Sequence, residues 1–392
     1  MSYRVNVAGV GMTRFTKPGM SPAYPQMAAA AGRQALADAG LDYADVQQAY
    51  VGYVYGDSTS GQNAVYALGL SGIPIINVNN NCSTGSTALW LARQAIESGA
   101  AECVMALGFE QMTPGALDTV FDDRPSPLSR HQEVLHATHG RSSAPLAAQL
   151  FGAAGREYQQ AYGIGAETFA RISVKARAHA SRNPLALFSQ TLTLDEVMAS
   201  PSVYDPLTRY QCCPPTCGAA CAILCSEAFA RRHNLGNTVH IVAQAMTTDR
   251  ADSFHASMIQ TIGYGISQQA AQQVYERSGL GPDDVQVVEL HDCFTVNELL
   301  SYEALGLCPE GQAERFILDG DNTYGGKVVV NPSGGLLSKG HPLGATGLAQ
   351  CTELVWQLRG QAGDRQVPHA RVGLQHNIGL GGACVVTMYQ RD

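Results

Sequence analysis

A chain of 392 residues, 45% hydrophobic and 15% charged, can bury a large core and is not a disordered segment. Its formal charge of -8, with no lysine- and arginine-rich run, argues against a nucleic-acid partner. No stretch approaches the roughly 18 apolar residues of a membrane span.

The opening MSYRVNVAGVGMTRF reads as a strand and turn and lacks the charged and apolar regions of a signal peptide. Its GxG is a weak dinucleotide signal, because Arg14 stands where a third glycine would fall. Next comes QALADAGLDYADVQQAYVGY, an amphipathic helix, a Gly-Leu stop, an acidic turn and a β-rich run. The same order recurs in QQVYERSGLGPDDVQVVELH. Gly40, Leu41, Asp45 and Val46 align with Gly279, Leu280, Asp284 and Val285 at one constant offset.

Downstream, IPIINVNNNCSTGSTALWLARQAIESG predicts a strand, a turn and a small-residue helix. KVVVNPSGGLLSKGHPLGATGLAQCTELVWQL repeats this with a longer glycine-rich connection. Each is expected to lead to another strand, AECVMALGFE in one half and ACVVTMYQ in the other. The expected fold is therefore α/β: two duplicated mixed-sheet halves about a pseudo-twofold axis. Residues 1–110 with 216–235 form the first half and 236–392 the second. Residues 111–215, rich in His, Arg and Pro where they begin, fit neither repeat and read as a lid carried on the first half.

Eleven cysteines without paired spacing fit a reducing compartment, and the expected location is cytoplasmic. Cys212, Cys213, Cys217, Cys221 and Cys225 crowd together, but CxxC pairs are missing, so small apolar filler is the preferred reading and no metal is expected.

Three places carry potential chemistry. Cys82 follows a strand and opens a helix, whose N-terminus would favour a thiolate; an ordinary buried cysteine is the alternative. His341 lies among seven glycines from Gly325 to Gly347 and could serve a thiol as base or an oxyanion as donor; a satisfied loop histidine is the alternative. In HDCF, His291 and Cys293 share one face at the carboxyl end of a central strand, where open α/β sheets bind ligands. Asp292 points the other way and would cap the following helix.

NVNNNCSTGSTAL, ELHDCFTVNELLSYEALGLCPEGQ, NPSGGLLSKGHPLGATGLAQ and LQHNIGLGGACVVTMY closely resemble the thiolases of the sterol-carrier-protein type, and the likeness runs almost end to end. The resemblance implies the thiolase fold, five layers αβαβα with an inserted loop domain, in a homodimer. It implies CoA-dependent cleavage of 3-ketoacyl-CoA, or the reverse Claisen condensation, in lipid metabolism such as fatty-acid β-oxidation. Coenzyme A would be a co-substrate, with no permanently bound cofactor.

Residue by residue, Cys82 matches the acylated nucleophile, and His341 the histidine that activates it and helps hold the thioester oxyanion. His291 matches the second donor of that oxyanion hole. Cys293 matches the acid/base thiol, because the CxG motif of other thiolases reads HNIGLGG here, with Asn377 in the thiol's place. The Cys82 backbone and Gly379 would form the other oxyanion hole, and Cys384 would be a packing residue. Two departures are Cys217 in place of the aspartate of an Asp-Gly-Ala turn and an end at Asp392 without a Ser-Lys-Leu signal or a lipid-carrier domain. The competing expectations are a thiolase-like aldolase of steroid side-chain CoA thioesters, whose members lack the nucleophilic cysteine, and a noncatalytic lipid carrier.

Overall fold

The computed structural model describes residues 4–115, 121–236 and 239–391. Residues 116–120 of the insertion and the extreme ends of both expected halves lie outside the described residues.

Among the described residues, ten strands form the main sheet: β1 Val5–Met12, β2 Gln48–Gly52, β3 Ile75–Val78, β4 Cys103–Glu110, β5 Gly218–Ser226, β6 Val239–Thr247, β7 Val287–Glu289, β8 Val329–Val330, β9 Val372–Gly379 and β10 Ala383–Gln390. The first half has the order β3-β2-β4-β5-β1 and the second β8-β7-β9-β10-β6. Corresponding pairs run in the same sense: β2 is parallel to β3 and β4, as β7 is to β8 and β9. The two halves join through a short antiparallel contact of Asn6 with His240 and Val7 with Val239.

This order corrects one expectation. The twin of β4 is β9, and the terminal strand β10 is the twin of β5. In the second half the two strands are joined by a tight turn at Leu380–Gly382, whereas the insertion separates them in the first.

Seven helices matter for the site: α1 Tyr24–Ala39, α2 Thr84–Glu97, α3 Leu146–Tyr162, α4 Ala166–Ala180, α5 Tyr264–Ser278, α6 Thr295–Ala304 and α7 Leu343–Arg359. The repeated Gly-Leu stops are left-handed caps: Gly40 ends α1 at φ 67° and Gly279 ends α5 at φ 71°. The GxG of β1 serves packing rather than a nucleotide, since a Cβ on Gly9 would stand 2.2 Å from the carbonyl oxygen of Ala35 in α1.

Helices α2 and α7 lie between the two sheet halves, with α1 outside the first and α5 outside the second. That gives five layers. Leu89 and Ile96 of α2 meet Leu348, Leu354 and Val355 of α7 in the central core, each almost fully buried. Burial at this depth contributes about 1.5–3 kcal/mol per large aliphatic side chain. The two helices approach closely because glycines face each other: a Cβ on Gly85 would lie 2.8 Å from the Gly344 oxygen. Both helix starts, and the loops before them, are thereby brought to one place.

The insertion leaves the first half but packs on the second. Leu150, Phe151, Tyr158 and Phe169 share one core cluster with Ile266, Val296, Tyr302 and Leu336. Phe151 stacks on Phe294 with ring centroids 4.9 Å apart. Lys175 pairs with the buried Glu298, and Thr168 donates to Glu314 at 2.6 Å.

Candidate active site

The loop from β3 to α2 is held by its own polar side chains. Asn81 adopts φ 51°, a left-handed conformation that asparagine tolerates, and its Nδ2 donates to the Leu380 carbonyl at 3.0 Å. The Asn80 amide donates to Thr84 Oγ1 at 2.9 Å, and Ser83 Oγ donates back to the Asn80 carbonyl at 2.9 Å. This bonding accounts for the asparagine run at a strand end. Cys82 sits at the crest, partly exposed and free, two residues before α2 begins. Its thiol is not stabilised as a thiolate. Burial first, then the Glu110 carboxylate, pushes it up to about 12.

Glu110 ends β4 and is fully buried. It accepts from the amides of Tyr55 at 2.9 Å, Gly344 at 3.0 Å and Val54 at 3.1 Å, tying the start of α7 to the β2 end. Burial nevertheless raises its carboxyl to about 7. The sequence offers one signal for this residue, an acidic group ending an otherwise apolar strand.

His341 is held from two sides. Its amide donates to Thr216 Oγ1 at 2.6 Å, and its Nδ1 lies 2.7 Å from Thr346 Oγ1. The Thr346 hydroxyl spends its proton on the Pro342 carbonyl at 3.0 Å, so it accepts from His341 Nδ1–H. The Nε2 lone pair is then free, and it is buried without a partner. Burial holds this imidazole down at about 3, hence neutral.

His291 follows β7 and is also buried, with its Nδ1 2.8 Å from the Asn377 amide nitrogen. Its ring meets that of His341 edge to face, centroids 5.1 Å apart at 82°. One ligand atom each from Cys82, His291 and His341 lies within 4.8 Å of the others. Such a set has the donors for a soft metal ion, but a thiol, a free imidazole lone pair and a second imidazole also suit thiol chemistry.

Cys293 is buried in the same region, and its thiol is pushed well up by burial, then by Cys213 and Cys82. Gly379 packs on the Cys82 turn so tightly that a Cβ there would stand 2.1 Å from the Asn80 carbonyl oxygen. Asp292 does turn away from the thiol, but it caps a different helix from the one expected. It accepts from the amides of Leu336 at 2.7 Å and Leu337 at 3.3 Å in the short helix Gly335–Ser338 just before His341. A Cβ on Gly335 would meet its Oδ2 at 2.1 Å, so that glycine is required.

Of the clustered cysteines, Cys217, Cys221 and Cys225 line the outer core of the first half on or beside β5. Cys217 also bonds the backbone of Met112 across the base of the insertion, through an amide at 3.2 Å and a carbonyl at 3.4 Å. Cys213 behaves otherwise. Its amide donates to the Cys293 carbonyl at 2.9 Å, which sets a third thiol beside Cys82 and Cys293. Cys384 is buried in β10 against Ser267.

The family model described as "Thiolase, N-terminal domain" matches residues 5–228, and "Thiolase C-terminal domain-like" matches 249–389. Among curated proteins, "Sterol carrier protein 2" of Rattus norvegicus is 59% identical over 99% of this chain and 72% of its own. "Acetyl-CoA acetyltransferase" of Methanothermobacter thermautotrophicus is 36% identical over 99% of both chains. Among solved structures, "Ltp2-ChsH2(DUF35) aldolase" superposes with a TM-score of 0.83 at 26% identity, covering 99% of this chain and 98% of that one.

Proposed function

We propose that this chain, which belongs to the thiolase family, cleaves 3-ketoacyl-CoA with free coenzyme A through an acyl-cysteine intermediate, or runs the reverse condensation. The observation that carries the reading is the meeting of Cys82, His291 and His341 donor atoms within 4.8 Å. The free Nε2 lone pair of His341 supports its role as the base for Cys82.

In the cleavage direction, Cys82 Sγ attacks the 3-keto carbon as its proton passes to His341 Nε2. Both groups are neutral at rest, so the transfer accompanies attack rather than preceding it. The Cα–Cβ bond then breaks and its electron pair leaves as the enolate of acetyl-CoA. His291 and protonated His341 hold the thioester oxygen of that enolate, and Cys293 gives a proton to its carbon. Coenzyme A, passing its thiol proton to the Cys293 thiolate, attacks the acyl-Cys82 carbonyl with the oxyanion facing the backbone N–H groups of Cys82 and Gly379; as acyl-CoA leaves, the Cys82 sulfur takes back its proton from His341. The products are acetyl-CoA and an acyl-CoA two carbons shorter.

Residues 111–215 would act as the lid over the acyl chain, between halves formed by 1–110 with 216–235 and by 236–392. The half-exposed edge strand β3 supports a homodimer. Lipid metabolism, with β-oxidation as its degradative arm, is the expected setting. No helix among the described residues is long and apolar enough to cross a membrane.

The aldolase neighbour favours a second reading, retro-aldol cleavage of a β-hydroxyacyl-CoA. It has no use for a nucleophilic Cys82. Thiolysis assayed against 3-ketoacyl-CoA of increasing length, beside a β-hydroxyacyl-CoA of the same chain, separates the two. The proposed function requires CoA-dependent consumption of the ketone; cleavage of the hydroxy ester alone would exclude it.

A further inference from the structure

Behind His291 runs a chain of fully buried polar groups that the reaction itself does not use. Its far end is Gln375 in the middle of β9. Gln375 Nε2 lies 2.7 Å from the Gly347 carbonyl, which can only accept, while its Oε1 accepts from the Tyr389 hydroxyl. The orientation of this amide is therefore decided by a backbone oxygen.

The same Nε2 donates to Ser86 Oγ at 2.8 Å. Ser86 thus receives a proton from one side and gives its own to Asn377 Oδ1, also at 2.8 Å. With its oxygen engaged, Asn377 must present Nδ2 to His291 Nδ1, and that contact is 2.8 Å. An N–H aimed at Nδ1 requires a lone pair there, which leaves the imidazole proton on Nε2. Ser86, Gln375 and Asn377 are each 0% exposed, so water cannot rescue a reversed bond.

Space for the chain is made by one glycine. A Cβ on Gly347 would fall 2.2 Å from Ser86 Oγ and 2.8 Å from Asn377 Oδ1.

We propose that Gln375, Ser86 and Asn377 are positioning residues that set the tautomer of His291, so that it donates into the site from Nε2 while His341 accepts. The two imidazoles have opposite polarity because their backing differs. Thr346 Oγ1 accepts a hydrogen bond from His341 Nδ1–H, whereas Asn377 Nδ2 donates one to the His291 Nδ1 lone pair. Asn377 occupies the place where other thiolases carry a thiol, and in this chain it supports the neighbouring histidine instead. The tautomer follows from the hydrogen bonds alone; its use as an oxyanion donor rests on the thiolase reading.

The test uses the full chain labelled with 15N-histidine, with the His291 signals assigned by their loss in His291→Gln. In the wild type at neutral pH, Nδ1 of His291 is expected to be the unprotonated nitrogen. Gln375→Glu removes the N–H at the head of the chain. Ser86 then donates to the carboxylate, Asn377 turns over, and the His291 proton moves to Nδ1. Should that buried carboxylate prevent folding, Ser86→Ala cuts the chain instead and the His291 signals move toward the mean of both tautomers. A wild-type His291 protonated on Nδ1, or an unchanged tautomer in the folded variant, overturns the proposal.

A second arm reads activity. Ser86→Ala is expected to lower kcat about tenfold to a hundredfold with little change in KM, and to leave the alkylation rate of Cys82 as it was. Equal losses in kcat and in Cys82 alkylation would mean a merely structural role and would also overturn it. If the wild type turned over no 3-ketoacyl-CoA while the tautomers behaved as stated, the thiolase reading would fall and the positioning chain would stand.

Discussion

Cys82 and Glu110 are coupled: the carboxylate at the end of β4 is, after burial, the largest influence keeping the Cys82 thiol protonated. Both stand near the start of α7, Glu110 by accepting the Gly344 amide and Cys82 by neighbouring His341. The resting site is thus a neutral thiol beside a neutral imidazole, with no preformed thiolate-imidazolium pair.

That state has a kinetic signature. With Cys82 held up at about 12 and His341 down at about 3, alkylation by iodoacetamide should be slow at neutral pH. It should then climb about tenfold per pH unit through the alkaline range without levelling near an ordinary thiol pKa of about 8.5. A rate that is flat from about pH 5 to 9 would reveal an ion pair and contradict the neutral site.

Replacing the carboxylate tests the coupling. Glu110→Gln removes a negative charge, so Cys82 should alkylate faster at a given alkaline pH. Its folded carboxyl lies near 7, raised from 4.5 by burial. Such a group contributes stability that is fully present below the unfolded pKa and is lost as pH rises through 7. The stability difference between wild type and Glu110→Gln should therefore drift by about 3 kcal/mol across that window, against the wild type as pH rises. Parallel pH-stability curves from denaturant titrations would show that Glu110 titrates normally.

Cys293 is assigned the proton that moves at carbon, not the acyl group. Cys293→Ala should reduce condensation and cleavage by at least about a thousandfold while acylation of Cys82 stays detectable by mass. Normal turnover in this variant would remove Cys293 from the mechanism.

The insertion is anchored beside the candidate site through the stack of Phe151 on Phe294, next to Cys293. Phe151→Ala should cost about 3–5 kcal/mol of stability in chemical denaturation, because the ring is almost wholly buried. It should raise KM for long acyl chains more than for short ones. Equal effects on all lengths would separate the insertion from substrate selection and contradict the proposed lid.

The duplication was readable in Gly40 and Gly279 because a left-handed helix cap tolerates few residues and marks both halves alike. The pairing of β4 with β10 as twins failed because the insertion splits the first half's hairpin, and strand periodicity carries no record of which neighbour a strand pairs. Packing of residues such as Leu150 and Phe169 on the second half was unreadable for a similar reason: an apolar stripe shows that a helix is buried, not against what.

At the site, Cys82, His291, Cys293 and His341 stood out by residue type at strand ends and glycine-rich turns. Glu110 and Cys213 did not, since their importance comes from contacts across the fold. The polarity of each imidazole also lay beyond sequence, because it depends on whether Thr346 or Asn377 stands behind Nδ1.

The most direct measurement is mass spectrometry of the protein mixed with a 3-ketoacyl-CoA in the absence of free coenzyme A. The expected result is an acyl adduct on the peptide containing Cys82, which disappears when coenzyme A is added and never forms in Cys82→Ala. Turnover with no adduct on Cys82, or turnover that survives Cys82→Ala, would contradict the mechanism at its root.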